Sequence, residues 1–348
     1  MTKTTKQRVV VICPGRGTYT KESLGYLQKL HPDKKDFFTV IDNFRHEQGQ
    51  TSITEIDAMQ NYRMAVHTVG ENAAALIYAC AMADFQSIDL DKYEIVAVTG
   101  NSMGWYIALA ASGALSAQGA VNLVNTMGSM MADELIGGQM IYPITDEDWR
   151  PSEKMSTDIQ AALFTVNQDK QCQVYISIYL GGYLVFGGNQ AGLTALASLL
   201  APVQERFPMT LVNHAAFHTP LLTDTAKKAQ TLLPLSLFSA PKIALIDGMG
   251  HIWQPYSCDR QALYRYTLGS QVTTPYHFTR AVEVAIKEYA PDKLIILGPG
   301  TTLGGAVGQT LIQQQWLGMQ SKADFIALQK EKPFVFAMGE MSQRKYVT

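Results

Sequence analysis

The chain has 348 residues, of which 47% are hydrophobic and 17% are charged, and its formal net charge is −2. This composition supports a sizeable folded core and excludes an intrinsically disordered chain. No block of lysines and arginines stands out, so nucleic acid is not an expected partner. The length predicts one large domain or two smaller ones.

The cysteines and the apolar runs bear on the compartment. Cys13, Cys80, Cys172 and Cys258 lie far apart without the spacing of a zinc site, so we expect a reduced, cytoplasmic protein without a metal centre. The polar start, MTKTTKQ, does not resemble a signal peptide. No apolar run approaches the roughly 18 residues that a membrane span needs, so we expect no membrane partner.

The first predicted strand, residues 8–13, is a β-branched run that leads into a glycine turn at residues 14–19. The backbone N–H groups of such a turn can face a ligand. The third glycine of a dinucleotide-binding fingerprint is absent. We therefore interpret the Arg16 N–H as a donor to an oxyanion, with a plain strand-to-helix loop as the alternative.

The motif GNSMG at residues 100–104 follows an apolar run at 95–98 and precedes an apolar helical segment at 106–115. Strand, Gly-x-Ser-x-Gly and helix in this order are typical of a nucleophile elbow. The glycines permit a tight turn from which Ser102 Oγ projects, and the Met103 N–H is then free to bind an oxyanion. The alternative is a glycine-rich turn with a passive serine.

Residues 138–212 form a compact unit in the pattern β-α-β-β-α-β, which is typical of a ferredoxin-like subdomain. We expect this unit to be inserted into an α/β core made of residues 1–137 and 213–310. Residues 311–348 are expected to form a C-terminal helix and a mobile tail.

Histidines occur near the second junction of this unit, in the segment NHAAFHTPLL at residues 213–222. Thr219-Pro220 predicts the start of a helix, which places His218 immediately before that start. We interpret His214 as a junction residue. His67, near the start of an alanine-rich helix predicted at residues 65–84, is interpreted as a packed histidine.

Five segments match one family in order. PGRGTY at 14–19 is similar to PGQGSQ, GNSMGW at 100–105 to GHSLGE, AFHTPLL at 216–222 to AFHSPLM, TPYHF at 274–278 to NPVQW or SPVRW, and GPGTTL at 298–303 to GPGxxL. Over about residues 8–310 the chain thus resembles the malonyl-CoA:acyl carrier protein transacylase family. This family includes the acyltransferase domains of fatty acid and polyketide synthases. The resemblance implies an α/β fold: an α/β-hydrolase-like parallel-sheet core with an inserted ferredoxin-like subdomain.

The resemblance implies ping-pong acyl transfer through an ester on Ser102, with His218 as the base. It also implies an oxyanion hole made by the backbone N–H groups of Arg16 and Met103. The backbone carbonyl at His277 would orient His218, and His277 as the base is the alternative. The implied substrate is an acyl-CoA or phosphopantetheinyl thioester, the partner is an acyl carrier protein, and no cofactor is bound. We expect a monomer that acts in trans.

The departures from the family pattern concern the acyl group. Met127 stands where malonyl-transferring members have an arginine, and a buried carboxylate beside methionine would be an unpaired charge. An apolar chain would instead gain about 0.8 kcal/mol per buried methylene. We expect Met127, Trp105 and Asn101 to line the acyl pocket, and we assign Met130 and Met131 to ordinary core.

Four functions follow from these features. The first is transfer of a non-carboxylated acyl group, and the second is hydrolysis of stalled acyl groups by a proofreading enzyme of the same fold. The third is malonyl transfer, with Arg16 supplying the missing charge from another direction. The fourth is a non-catalytic partner subunit, against which the presence of both Ser102 and His218 argues.

Overall fold

The structure, a computed structural model, describes residues 5–130 and 135–348. The strands are β1 Gln7–Cys13, β2 Tyr93–Gly100, β3 Gly138–Pro143, β4 Val174–Leu180, β5 Tyr183–Gly188, β6 Met209–Leu211, β7 Ala244–Ile246, β8 Ile252–Trp253, β9 Tyr276–His277, β10 Lys293–Ile296 and β11 Val335–Ala337. Met131, assigned above to core, lies outside the described residues.

The α-helices are α1 Tyr26–Leu30, α2 Lys35–Glu47, α3 Ile53–Asp57, α4 Met64–His67, α5 Gly70–Phe85, α6 Gly104–Ala111, α7 Ala117–Ser129, α8 Glu153–Val166, α9 Gln190–Leu199, α10 Thr223–Leu232, α11 Arg260–Arg265, α12 Gln271–Thr273, α13 Phe278–Tyr289, α14 Leu303–Gln313, α15 Lys322–Glu331 and α16 Met341–Arg344. Short 3-10 helices lie at Lys21–Ser23, Pro220–Leu222, Leu235–Leu237 and Trp316–Gly318, and a π-helix spans Tyr266–Ser270.

The larger sheet has the strand order β11-β10-β1-β2-β7-β8 and is parallel apart from its β7–β8 edge pair. Residues 9–13 of the central strand β1 have no exposed surface. A strand buried on both faces needs a continuous apolar sequence, which is why the run at 8–13 is recognisable from its residues alone. The predicted α/β class with a parallel-sheet core is confirmed.

The carboxyl ends of β1 and β2 meet at one edge of this sheet because the two strands are parallel neighbours. There the Asn101 N–H donates to the Cys13 carbonyl over 3.1 Å. A Cβ at Gly15 would collide with the Asn101 carbonyl, so glycine is needed for the approach of the two turns. The turn that carries Arg16 and the turn that carries Ser102 therefore lie side by side.

The second sheet has the order β6-β3-β5-β4-β9. Its first four strands, with α8 and α9, follow the predicted β-α-β-β-α-β sequence and enclose a small core that includes Ile159, Phe186 and Leu196. Strand β9 comes from a later part of the chain and pairs in parallel with β4, so it attaches this sheet to the rest of the molecule. The boundaries 1–137, 138–212 and 213–310 stay a proposal.

Within residues 311–348 the predicted helix is present as α15, whereas the part expected to be a tail contains strand β11 and helix α16. Strand β11 pairs with β10 and forms an edge of the larger sheet. The Arg344 guanidinium on α16 lies 2.7 Å from the buried carboxylate of Asp84. A short apolar strand and one buried ion pair thus attach this segment to the core, although its sequence is largely polar.

The alanine-rich helix predicted at residues 65–84 is interrupted. The structure divides it into α4 and α5 at Thr68 and Val69. His67 packs between Tyr19 and Tyr62, as a structural histidine would. Of the helices in the described ranges, none combines the length and the apolar character that crossing a bilayer requires.

Candidate active site

Ser102 lies in the turn between β2 and α6 with a positive φ of 54°. Such a left-handed backbone is costly for a residue with a side chain, and it is typical of a serine held at a nucleophile elbow. The flanking glycines are required sterically. A Cβ at Gly100 would strike the backbone of Gly104, and a Cβ at Gly104 would strike the Cys13 carbonyl.

His218 faces this serine. Its Nε2 lies 2.7 Å from Ser102 Oγ, and its ring is 1% exposed. Its Nδ1 lies 2.5 Å from the backbone carbonyl of Gln271, which can only accept a hydrogen bond. Nδ1 therefore carries the proton, and Nε2 is free to accept the Ser102 hydroxyl proton. The His218 backbone also has a positive φ, 61°, and its N–H donates to the Val272 carbonyl over 2.7 Å.

The prediction that the His277 carbonyl orients His218 is wrong, because the orienting carbonyl belongs to Gln271. His277 lies in strand β9 and therefore belongs to the second sheet, where the His277 ring stacks on Tyr179 with centroids 4.2 Å apart. The His277 Nδ1 accepts a hydrogen bond from the Arg280 N–H at the start of α13. The nearby TPYHF match gave no indication of which carbonyl turns toward the imidazole.

The environment of His218 favours the neutral imidazole, which is the form that can accept a proton. Burial lowers the pKa of His218 to about 4, although its bond to the Gln271 carbonyl acts in the opposite direction. The imidazole is therefore neutral near pH 7 and ready to accept a proton. The ion that would form after proton transfer is stabilised by the same carbonyl.

The predicted oxyanion donors lie on the two adjacent turns. Among the described residues, neither the Arg16 N–H nor the Met103 N–H has a hydrogen-bond acceptor. Met103 directly precedes α6, whose first residue is Gly104. Two unpaired amides beside a serine and a helix start provide the parts of an oxyanion hole. Their role stays a prediction.

A small cavity of about 40 Å³ opens beside Ser102. Its lining is mostly apolar and comprises Arg16, Ala74, Ser102, Met103, Tyr106, Val124, Met127, Gly128, Phe217, His218 and Gln271. Met127 thus lines a cavity beside Ser102, and its contact with an acyl group stays a prediction. A close crossing of α5 and α7 shapes this region, since a Cβ at Gly128 would meet the Gly70 carbonyl at 2.9 Å.

The other two predicted pocket residues lie elsewhere. Trp105 is fully buried behind the elbow, where its indole N–H donates to Thr267 Oγ1 over 3.0 Å and its ring meets Tyr266 edge-on. The residue after an elbow glycine begins a helix turn whose side chains face the core, so Trp105 does not line the cavity. Asn101 lines a wider cleft instead. Met130 packs against the core as predicted.

This wider cleft, of about 410 Å³, runs between the elbow and the second sheet and also reaches Ser102. The second sheet contributes apolar side chains, among them Ile141, Ile178 and Val185. His214, Gln139 and Asn101 are polar members of its lining. The small cavity and the wider cleft thus meet at Ser102.

Arg16 lines both the cavity and the cleft. Its Nη2 donates to the carbonyls of Thr68 and Asn213 over 2.9 and 2.7 Å, while its buried Nε has no acceptor within the described residues. No carboxylate in those residues lies within ion-pair distance of it. Burial lowers the pKa of Arg16 to about 10, so the guanidinium stays charged at neutral pH.

Sequence reasoning missed the residues that brace the serine. The Gln271 side chain donates to the Ser102 carbonyl over 3.1 Å and accepts from the Tyr106 hydroxyl over 2.9 Å. The Tyr276 hydroxyl donates to the Gly100 carbonyl. In the described part of the chain, no cluster of three or more His, Cys, Asp or Glu side chains is placed to hold a metal ion.

Comparison with known proteins agrees with this architecture. No model of a protein family matches the chain. The malonyl CoA-acyl carrier protein transacylase of Bacillus subtilis is 23% identical over 309 residues, covering 86% of this chain and 89% of the relative. The protein of the same name from Haemophilus influenzae is 24% identical over 246 residues, covering 69% and 72%.

Solved structures show the same fold. The malonyl-CoA:acyl carrier protein transacylase of Xanthomonas oryzae superimposes with a TM-score of 0.74 at 19% identity, covering 99% of this chain and 98% of that one. A malonyl-transacylase solved in complex with a type II polyketide synthase acyl carrier protein gives 0.69 at 18% identity, covering 88% and 93%. These comparisons confirm the resemblance to the malonyl-CoA:acyl carrier protein transacylase family.

Proposed function

We propose that this relative of the malonyl-CoA:acyl carrier protein transacylases is a serine-dependent acyltransferase that loads an acyl carrier protein in fatty acid or polyketide-type biosynthesis. The observation that carries the proposal is the contact of 2.7 Å between Ser102 Oγ and His218 Nε2. The Gln271 carbonyl fixes the tautomer that this contact needs. The carrier protein enters through the relatives, whose names and one solved complex include it.

The reaction would proceed in two balanced halves. In the first, Ser102 Oγ attacks the thioester carbonyl of an acyl-CoA while His218 Nε2 takes the hydroxyl proton. The oxyanion is held by the Arg16 and Met103 amides, each such donor being worth about 3–4 kcal/mol at the transition state. The intermediate expels the thiolate, which takes the proton from His218. The second half repeats these steps in reverse with the carrier's thiol as nucleophile.

We propose a short, non-carboxylated acyl group as the cargo. The cavity is small, and Met127, Val124 and Ala74 give it an apolar wall. Entry of a carboxylate against this wall would remove water from the charge without supplying a partner there. A short alkyl group would exchange water for contacts with methionine and valine, which is favourable.

Arg16 supports a second candidate, the transfer of a carboxylated group such as malonyl. Its guanidinium lines the same cavity and has no carboxylate partner in the described ranges. A Cβ added to Gly70 would lie 3.7 Å from Arg16 Nη1 and would also strike the Gly128 carbonyl. The Arg16 guanidinium is therefore close to Gly128, the residue that follows Met127.

Intact-protein mass spectrometry distinguishes these candidates. The protein is incubated with acetyl-CoA, malonyl-CoA or a medium-chain acyl-CoA, with Ser102→Ala as the control. We expect an acetyl adduct that Ser102→Ala abolishes, and little malonyl adduct. A Ser102-dependent malonyl adduct that Arg16→Gln removes would instead support the second candidate.

Two other outcomes change the proposal. Release of free acid without a lasting adduct, while no acyl group reaches a carrier protein, would identify the proofreading hydrolase. Turnover that neither Ser102→Ala nor His218→Ala reduces would exclude catalysis at this pair. A Met127→Arg variant is the matched test of the pocket, since a guanidinium on α7 should raise malonyl uptake relative to acetyl.

A further inference from the structure

The cleft contains a second histidine, His214, that the proposed mechanism does not use. It lines the cleft that leads to Ser102. Its Nδ1 lies 2.9 Å from Gln139 Oε1. In the described chain its Nε2 has no hydrogen-bond partner, and even a Cβ added to Gly17 would lie 4.0 Å from this nitrogen.

A chain of hydrogen bonds fixes the tautomer of this ring. The Ser177 hydroxyl donates to the Phe217 carbonyl over 2.9 Å, so its oxygen accepts from Gln139 Nε2 over 2.7 Å. The Gln139 Oε1 is then the atom that faces His214, and it can only accept. His214 Nδ1 must therefore carry the proton, and a neutral ring presents a bare lone pair at Nε2 to the cleft.

The neutral state of the His214 ring agrees with a role as a hydrogen-bond acceptor. Burial, and then the positive charge of Arg16, lower the pKa of His214 to about 3. The ring is therefore neutral at physiological pH. Unlike His218, whose Nε2 contacts the Ser102 hydroxyl, His214 has no nucleophile at its Nε2 within the described residues. Accepting a hydrogen bond from a substrate N–H is the chemistry that remains.

We propose that His214 Nε2 accepts a hydrogen bond from an amide N–H of the phosphopantetheine arm as it lies in the cleft. The proposal rests on the proposed function, because that function makes a phosphopantetheinyl thioester the substrate. The first amide of the arm is two methylenes from the thioester sulfur. A substrate segment this close to the reacting carbonyl has to share the cleft with Ser102, and His214 lines that same cleft.

A matched pair of minimal substrates tests the contact. One is the N-acetylcysteamine thioester of the acyl group that Ser102 accepts. The other is the 2-acetoxyethyl thioester of the same acyl group, in which an ester oxygen replaces the amide N–H. We expect the wild-type protein to favour the amide by about fivefold in kcat/KM, the effect of one hydrogen bond.

The variants make the test specific to His214. His214→Phe should abolish the preference by lowering kcat/KM on the amide more than on the ester analogue, and His214→Gln, which keeps an acceptor, should retain part of it. Gln139→Leu should also reduce it, because the ring can then place its proton on Nε2. His251→Phe is the control, since His251 lies outside the cleft beside Trp253.

The outcomes separate this proposal from the one on which it rests. A His214→Phe variant that loses rate equally on both thioesters, or that keeps the wild-type preference, would overturn the role of His214 alone. Wild-type protein without Ser102-dependent turnover of either thioester would overturn the proposed function, and this role with it.

Discussion

Pro275 stands four residues after Gln271, and its ring nitrogen has no hydrogen to donate to the Gln271 carbonyl. In a continuing helix that carbonyl would accept the N–H of the fourth residue after it. The proline leaves the carbonyl free, and His218 Nδ1 takes the place of the missing donor. A helix end thus becomes the orienting group of the candidate base.

Replacing Gln271 by leucine should weaken the elbow without removing this carbonyl. The Ser102 carbonyl would lose its donor and the Tyr106 hydroxyl its acceptor. We expect a loss of about 1–3 kcal/mol in the free energy of unfolding. A misplaced serine should also slow acyl-enzyme formation by about ten- to hundredfold, measured by rapid quench and mass spectrometry.

Tyr106→Phe is the control for Gln271→Leu, since it removes one hydroxyl and leaves the bond to the Ser102 carbonyl. Its effect on the acylation rate should be much smaller. Equal acylation rates for wild type and Gln271→Leu would contradict the bracing role.

The pH dependence of acylation should report His218. Because the pKa of this buried ring is lowered to about 4, the base is neutral at all higher pH values. We expect the single-turnover rate of acyl-enzyme formation to be level from about pH 8 down to about pH 5 and to fall below that. Tryptophan fluorescence monitors folding over the same range. A midpoint near the ordinary histidine value of 6.5 would contradict the environment described here.

The same shifts make stability depend on pH. Between pH 6.5 and about 4 an unfolded chain binds a proton at His218 that the native ring excludes, and His214 extends this window to about 3. The free energy of unfolding should therefore fall as the pH falls, by up to about 1.4 kcal/mol per pH unit for each ring. The partly exposed His214 should contribute less than the buried His218.

Urea titrations at pH 7, 6 and 5 measure this effect. The difference in unfolding free energy between His218→Phe and wild type should shift in favour of the variant as the pH falls, because phenylalanine binds no proton in either state. A difference that does not change with pH would exclude the linkage.

The ion pair beneath the C-terminal helix should be important for stability and dispensable for chemistry. Asp84 is completely buried and receives hydrogen bonds from Arg344, Tyr26 and the Gly298 N–H. Arg344→Met leaves a buried carboxylate without its cation, which costs about 3–5 kcal/mol. Adding Asp84→Asn should recover part of that loss. A single variant within about 1 kcal/mol of wild type in urea unfolding would refute this role.

The sequence predicts well wherever a local rule dictates the structure. The elbow follows from two glycines whose side chains would strike backbone, and strand β1 from an uninterrupted apolar run. The β-α-β-β-α-β order of the small sheet follows from alternating patterns and glycine turns. These features need only neighbouring residues, so one sequence carries them.

Tertiary placement explains what the sequence leaves out. The orienting carbonyl belongs to the backbone of Gln271, and every residue has such a group. Trp105 and Met127 are both apolar, yet only the direction of each helix face decides which one lines the cavity. The C-terminal segment looks like a polar tail because its attachment depends on one arginine and a three-residue strand.

Ser102 and His218 share a positive φ, at 54° and 61°. Glycine adopts this conformation at little cost, whereas a residue with a Cβ is held there by its surroundings. At the partly exposed Ser102, selection for thermal stability alone would therefore favour glycine and remove the nucleophile, whereas at the buried His218 the loss of the packed ring would oppose the same change. A library screened only for melting temperature should lose the serine side chain early, so thermostable variants of this fold need an activity screen in parallel.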